Sequence, residues 1–261
     1  MLETALVDGD IVAYRCAAAA ENDEEGIAKW QTSEMMNRIL HETNAMQYRV
    51  FLTGESNFRY SIYPDYKANR RDMPRPRWLQ SVREHLVSVW GSSVTDGIEA
   101  DDAMGIEQVA LNNAGEDSVI CSIDKDMLMI PGRHYNFVRN EFRNISPLEG
   151  LRNFYAQLIM GDRTDNIPGY DGKMRSKIPK FLMSHMEVLY NSMTEKEMFD
   201  HVREMYGDDA RMLLSGQCLW IQRKENDLWQ FPLEGGLDRG PDESVHHIGS
   251  EGGEPPLSSE V

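Results

Sequence analysis

The chain has 261 residues, 41% hydrophobic and 27% charged, with a formal net charge of −16, a composition ordinary for a globular protein of one large domain or a domain with a helical extension. No window of about 18 apolar residues exists, which excludes a transmembrane helix, and Met1-Leu2-Glu3 lacks the basic start of a secretory signal. Cys16, Cys121 and Cys218 have neither metal nor disulfide spacing and suit a reducing cytoplasm, so a cytoplasmic protein is expected, in a host cell if the chain is phage-encoded.

In chain order, Thr4-Ala5-Leu6-Val7 is a short buried-strand pattern that stops at Asp8, and the Ala-rich run Ile11–Ala20 reads as a helix. Glu21 to Gly26 reads as an acidic loop. Met35, Ile39 and Met46 mark a helix over about 30–46, and Tyr48–Leu52 a second strand. Arg59 to Pro76 holds three prolines and no apolar period, so an exposed, loop-rich segment is expected. Trp78, Val82, Leu86 and Val89 mark an amphipathic helix, Ser92–Thr95 a brief strand, and Ala103, Ile106 and Ala110 the buried face of the next helix. A strand over Asp117–Ile123 ends at Asp124, and Tyr135–Val138 is one more candidate. Ser146-Pro147-Leu148-Glu149 joins a capping box to Pro at the first helical position, opening a helix that Gly161 ends. Thr194 and Glu197 form another capping box, and a last helix covers about 209–222.

Strands alternating with helices imply a mainly parallel α/β sheet, whose ligands gather at the carboxyl ends of the strands. The expected division is an α/β core at 1–145, with a basic arch segment at 59–90, a helical subdomain at 146–233, and a disordered acidic tail at 234–261.

The negative total argues against a nucleic-acid partner only until it is divided. Nine of the acids lie in four clusters, and residues 232–261 add seven acids against one Arg. Residues 59–83 are the reverse, with seven Lys and Arg against two Asp. Salt screens charges beyond roughly 8–10 Å, so local balance governs a binding surface.

The clusters are Val7-Asp8-Gly9-Asp10, Glu99-Ala100-Asp101-Asp102, Ser122-Ile123-Asp124-Lys125-Asp126 and Gly161-Asp162-Arg163-Thr164-Asp165-Asn166. Any one alone also reads as an acidic turn or helix cap. Together, each behind an apolar run, they read as hard oxygen ligands for Mg²⁺ or Mn²⁺. Two such ions about 4 Å apart hold a phosphodiester and activate water. Within the basic segment, Tyr66, Lys67, Arg70 and Arg71 offer a ring to stack on a base and cations for phosphates, or else a solvated basic loop.

With Val7-Asp8-Gly9, Tyr66-Lys67-Ala68-Asn69-Arg70, the two central acid motifs and Gly161-Asp162-Arg163-Thr164-Asp165-Asn166-Ile167-Pro168-Gly169 in order over roughly residues 5–182, the chain resembles the 5′-nuclease family. That family comprises flap endonucleases, the 5′-nuclease domain of bacterial DNA polymerase I and phage 5′–3′ exonucleases. The compact size and Asn57-Phe58-Arg59 look most like the phage branch. The resemblance implies a PIN/FEN-like α/β core with an arch and a helical module that grips duplex DNA, and two-metal hydrolysis of DNA, or RNA, from a 5′ end or flap. It places Asp8, Glu99, Asp101, Asp102 and Asp124 around a first metal and Asp126, Asp162 and Asp165 around a second. Lys67 and Arg70 would contact the scissile phosphate, with Asp10 placed to assist Asp8. It further implies a K⁺ near 167–172, a monomer, and a replication polymerase or single-strand-binding protein as partner.

Two departures stand out. Where many members carry an Asp after the second strand, this chain reads Leu52-Thr53-Gly54-Glu55, with Glu55 the candidate substitute. The Gly-x-Gly hairpin expected after Gly169 reads Gly172-Lys173-Met174. Lys173, Arg175, Lys177 and Lys180 are therefore expected to hold duplex by charge, with salt-sensitive binding. The alternatives to an active nuclease are a branched-DNA-binding accessory protein with weakened catalysis and a PIN-like ribonuclease.

Overall fold

The computed structural model describes residues 3–232, so the acidic tail expected at 234–261 lies outside the described residues. The chain runs β1 (Thr4–Asp8), α1 (Gly9–Ala19), α2 (Glu25–Thr43), β2 (Gln47–Leu52), α3 (Arg59–Ile62), α4 (Leu79–Trp90), β3 (Ser93–Val94), α5 (Ala100–Asn113), β4 (Ser118–Cys121), β5 (Gly132–Asn136), β6 (Glu141–Ile145), α6 (Pro147–Met160), α7 (Met183–Asn191), α8 (Glu195–Tyr206) and α9 (Asp209–Leu219). The strands form one sheet in the order β3-β2-β1-β4-β5-β6, parallel except for the β5–β6 hairpin.

Both faces of the sheet are covered, which is why the inner strands read as unbroken apolar runs. Alternation sorts their side chains. Ala5, Val7, Val50, Leu52, Val119 and Cys121 point into a core with Val12, Met36, Ile39, Val82 and Leu86 of α1, α2 and α4. Leu6, Phe51 and Ile120 point the other way, into a core with Met104, Phe154, Leu158, Met198 and Trp220. The helical residues after 146 thus share one continuous apolar cluster with the sheet.

Three expectations need correcting. The buried face of α5 is Ala100, Met104, Gln108 and Leu111, while Ala110 faces water. The helix lies flat on the segment after α9, where a Cβ on Gly105 would stand 2.5 Å from the Gln222 carbonyl. The hairpin was only half visible, because β6 is an exposed edge rich in polar residues. The stretch Arg59 to Pro76 is not uniformly exposed: Arg59 and Tyr66 are buried.

Candidate active site

Asp8 ends β1 and caps α1, accepting from Ile11 N–H at 3.0 Å. Its other oxygen accepts from the Ser122 hydroxyl, 2.7 Å away and just past β4. Ser122 also accepts from the Asp124 N–H at 3.0 Å, so one buried hydroxyl sets two acids from neighbouring strands. Asp124 in turn accepts from the Asp126 N–H at 2.9 Å. Parallel β1 and β4 bring their carboxyl ends side by side, and α5 presents Glu99 and Asp101 to the same place.

Burial pushes the Asp8 carboxyl up to about 7, helped by the charges of Asp10 and Asp124. Asp101 is driven well above the usual carboxylate range by burial, then by Asp8, Asp124 and Glu99. Burial and then Asp124 raise Asp126 to about 7. Carboxylates that raise one another in this way lie near one another, and their repulsion is relieved either by protons or by cations. Among the described residues no three of these acids already stand as a closed ligand cluster. The donor set, all carboxylate oxygen crowded against its own charge, fits hard divalent ions.

The second group lies beside the first. Asp162 is buried, yet held below the usual range by the Asp165 and Thr164 N–H groups and Lys125. Lys125 Nζ stands 3.0 Å from Asp126 and 3.4 Å from Asp162. Gln157 also donates to Asp126. Burial raises Asp165 despite Lys67 and Arg70.

The cations interleave with the acids. Lys67 Nζ lies 2.5 Å from Glu99 and 3.7 Å from Asp165, and Arg70 lies 3.1 Å from Asp165. Burial opposes the Lys67 charge, but Glu99 and Asp165 outweigh it and raise its pKa. Glu99 is likewise held low against burial by Lys67 and Arg59. Arg71 stays at the surface, donating to the Pro64 carbonyl.

Several assigned residues do something else. Asp102 is 0% exposed, and both its oxygens are taken by Arg59, at 2.6 and 2.9 Å. It also closes the α5 capping box by accepting from Glu99 N–H at 3.0 Å. It is a structural anion with its own cation, and is withdrawn from the ligand set. Asp10 is bound by Thr53 N–H and Arg83, on the α4 side. Tyr66 is 1% exposed and cannot stack on a base; its hydroxyl lies 2.8 Å from Glu99 and 2.9 Å from Asp165, bracing the two acid groups. Thr53, at the place of the missing Asp, accepts from Ala100 N–H at 2.9 Å and so supports α5, while Glu55 is exposed.

In the hairpin after Gly169, Arg175 is paired with Asp171, which removes most of its charge from duplex binding; Lys173, Lys177 and Lys180 are exposed. At 167–172, where a K⁺ was expected, four carbonyls already have protein partners. The Ile167, Pro168, Gly169 and Tyr170 carbonyls already accept from Asp162, Ser215, Gly172 and Arg211. The Arg211 guanidinium, 2.6 Å from the Tyr170 oxygen, is a resident cation there.

Sequence reasoning missed Ser122, Arg59, Thr53, Lys125 and Gln157 as supports. Ser122 and Lys125 had a signal in their place inside an acidic motif, and Arg59 and Thr53 in the stretches 57–59 and 52–55 already singled out; Gln157 had none.

Comparison with known proteins gives a consistent result. A family model described as 5′-3′ exonuclease, N-terminal resolvase-like domain, matches residues 3–155. A 5′-3′ exonuclease of Buchnera aphidicola (subsp. Acyrthosiphon pisum) is 32% identical over 158 residues, 55% of this chain and about half (55%) of that relative's length. A flap endonuclease Xni of Shewanella sp. (strain ANA-3) is 27% identical over 226 residues, 81% of this chain and 84% of that one. Among solved structures, the T5 D15 protein co-crystallised with metal ions superposes with a TM-score of 0.62 at 17% identity, covering 83% of this chain and 89% of that one, a likeness of fold.

Proposed function

The chain belongs to the 5′-3′ exonuclease family, and from that premise we propose that it hydrolyses DNA phosphodiesters at a 5′ end or flap with two Mg²⁺ or Mn²⁺ ions. Asp8, Glu99, Asp101 and Asp124 would hold the first ion, and Asp126, Asp162 and Asp165 the second. When bound, the ions activate a water and neutralise the leaving oxygen. Lys67 and Arg70 serve as counter-charges to Glu99 and Asp165 in the metal-free protein. Beside the bound ions, Lys67 and Arg70 would hold the scissile phosphate and stabilise its developing charge. Lys173, Lys177 and Lys180 hold the duplex through its phosphates. The process served is replication or processing of DNA, as in a phage.

What supports this reading is that acids from four distant segments share partners: Ser122 holds Asp8 and the Asp124 backbone, Lys125 reaches Asp126 and Asp162, and Lys67 reaches Glu99 and Asp165. Two solved T5 nuclease structures support it: one has zinc bound, and one is a complex with DNA and metal ions. The experiment is digestion of 5′-labelled flap and duplex DNA with and without Mg²⁺. The expected result is a metal-dependent product that Asp124→Ala abolishes. Equal cutting by that variant, or none by the parent, sinks the proposal. Preference for an RNA flap would instead favour a PIN-like ribonuclease. Thr53 in the place of an acid favours a second reading, a branched-DNA-binding protein with weakened catalysis. Tight flap binding without cleavage in Mn²⁺ would select it.

A further inference from the structure

Two loops that lie about a hundred residues apart in sequence are fastened to each other. One is the arch-base turn 64–71, which carries Lys67 and Arg70; the other is the acidic loop 162–167, which carries Asp162 and Asp165. Five hydrogen bonds cross between them, one of them from the Tyr66 hydroxyl to the Asp165 carboxylate at 2.9 Å. Lys67 N–H donates to the Asp165 carbonyl at 2.9 Å. Asn69 Nδ2 donates to the Arg163 carbonyl at 2.7 Å, and Arg70 Nε to the Thr164 carbonyl at 2.9 Å. Asn166 Nδ2 returns the contact, donating to the Asp65 carbonyl at 2.8 Å.

The fastening is local and costly to the backbone. Lys67 and Asn166 both sit in the left-handed region, at φ 53° and φ 61°. Asn tolerates that region, whereas Lys is disfavoured there. The surroundings must therefore hold Lys67 in place, and its N–H to Asp165 is one of the bonds that do so. The acidic loop is also closed on itself, since Asp162 and Ile167 exchange N–H···O bonds at 2.8 Å each way. Movement of the arch base therefore carries the acidic loop with it as a body.

We propose that Asn69 and Asn166 are positioning residues that clasp the arch base to the second acid group, so that Lys67, Arg70 and Asp165 are set as one unit. This rests on the nuclease reading above. Both asparagines spend a side-chain amide on a backbone carbonyl of the other loop. Their effect runs through the spacing between two cations and a carboxylate, where a displacement of about 1 Å is enough to cost a large factor in rate. Inserting an anionic strand beside Lys67 and Arg70 would, by the same clasp, move or fix Asp165.

The test is Asn166→Gly in the full chain. Glycine keeps the positive φ without strain and removes the amide donor; Asn69→Ala, which adds no backbone freedom of that kind, controls for the loosening that glycine itself brings. In metal-free protein, hydrogen exchange at segments 64–71 and 162–167 should rise together by about tenfold or more, with exchange elsewhere unchanged. Asn69→Ala should give the same paired rise. Mn²⁺ titration by calorimetry should show the weaker ion bound about fivefold less tightly. On a 5′ flap, kcat should fall about tenfold while KM stays within about twofold. Unchanged exchange at the two segments, a rise at only one of them, or a loss confined to KM overturns the clasp. A parent protein that cuts nothing strikes the nuclease reading instead, and the exchange measurement still decides the clasp.

Discussion

Removing the Arg59 guanidinium should unfold much of what supports the acid site, although Arg59 binds no substrate. Arg59 is 2% exposed and spends its donors on two separate segments, the start of α5 and the end of α9. Two go to Asp102, Nε goes to the Cys218 carbonyl at 2.8 Å, and one amino group also reaches the Trp220 carbonyl at 2.7 Å. Burial alone would depress its charge, but Asp102 more than compensates and raises its pKa. Arg59→Met leaves a fully buried carboxylate with only the Glu99 and Gln222 N–H groups as partners. Breaking such a buried pair from one side costs about 3–5 kcal/mol. That is a large part of a typical total stability of about 5–15 kcal/mol. Urea melts of Arg59→Met, Asp102→Leu and the double variant make a thermodynamic cycle. Each single change should lose at least about 3 kcal/mol, and the double variant little more than either, for a coupling of about 2–3 kcal/mol. Additive losses, or single losses below about 1 kcal/mol, would refute the assignment. If Asp102 were a metal ligand, Asp102→Asn would instead weaken Mn²⁺ binding with the fold intact.

Further outcomes follow from the same geometry. Asp8 and Asp126, raised from 3.8 to about 7, bind protons more tightly folded than unfolded; the stability this gives is full below 3.8 and lost as pH rises toward 7. Metal-stripped protein should therefore melt at lower temperature at about pH 8 than at about pH 5, and saturating Mg²⁺ should remove that fall; a flat metal-free profile refutes the crowding. Lys67→Met should lower kcat by about 10²–10³ with DNA affinity changed less than about threefold, checked by single-turnover cleavage beside a binding titration. Changing Lys173, Lys177 or Lys180 to Ala should each reduce the salt slope of duplex binding by about 0.9, whereas Arg175→Ala, already neutralised by Asp171, should leave the slope unchanged. With Arg211 as the resident cation, replacing KCl by NaCl at equal ionic strength should shift duplex affinity less than about twofold, and a strong K⁺ preference would contradict it.

Four acid motifs, the alternation of strands and helices, the two capping boxes and the basic character of residues 59–83 were all legible in the chain, because each is written in neighbouring residues. Strand and helix periods, caps and turn residues act over a few positions, so their consequences follow from local order. What each charge does was settled only by folding. Asp101 and Asp102 are adjacent in sequence, yet one faces the crowded acids and the other is sealed against Arg59, 43 positions away. Tyr66 has the composition of a stacking platform and lies inside, and Arg175 looks like a phosphate ligand and is claimed by Asp171. The fate of a side chain depends on which distant partner reaches it first and on how much water is left. Desolvation and ion pairing act through space, and no spacing along a chain records them.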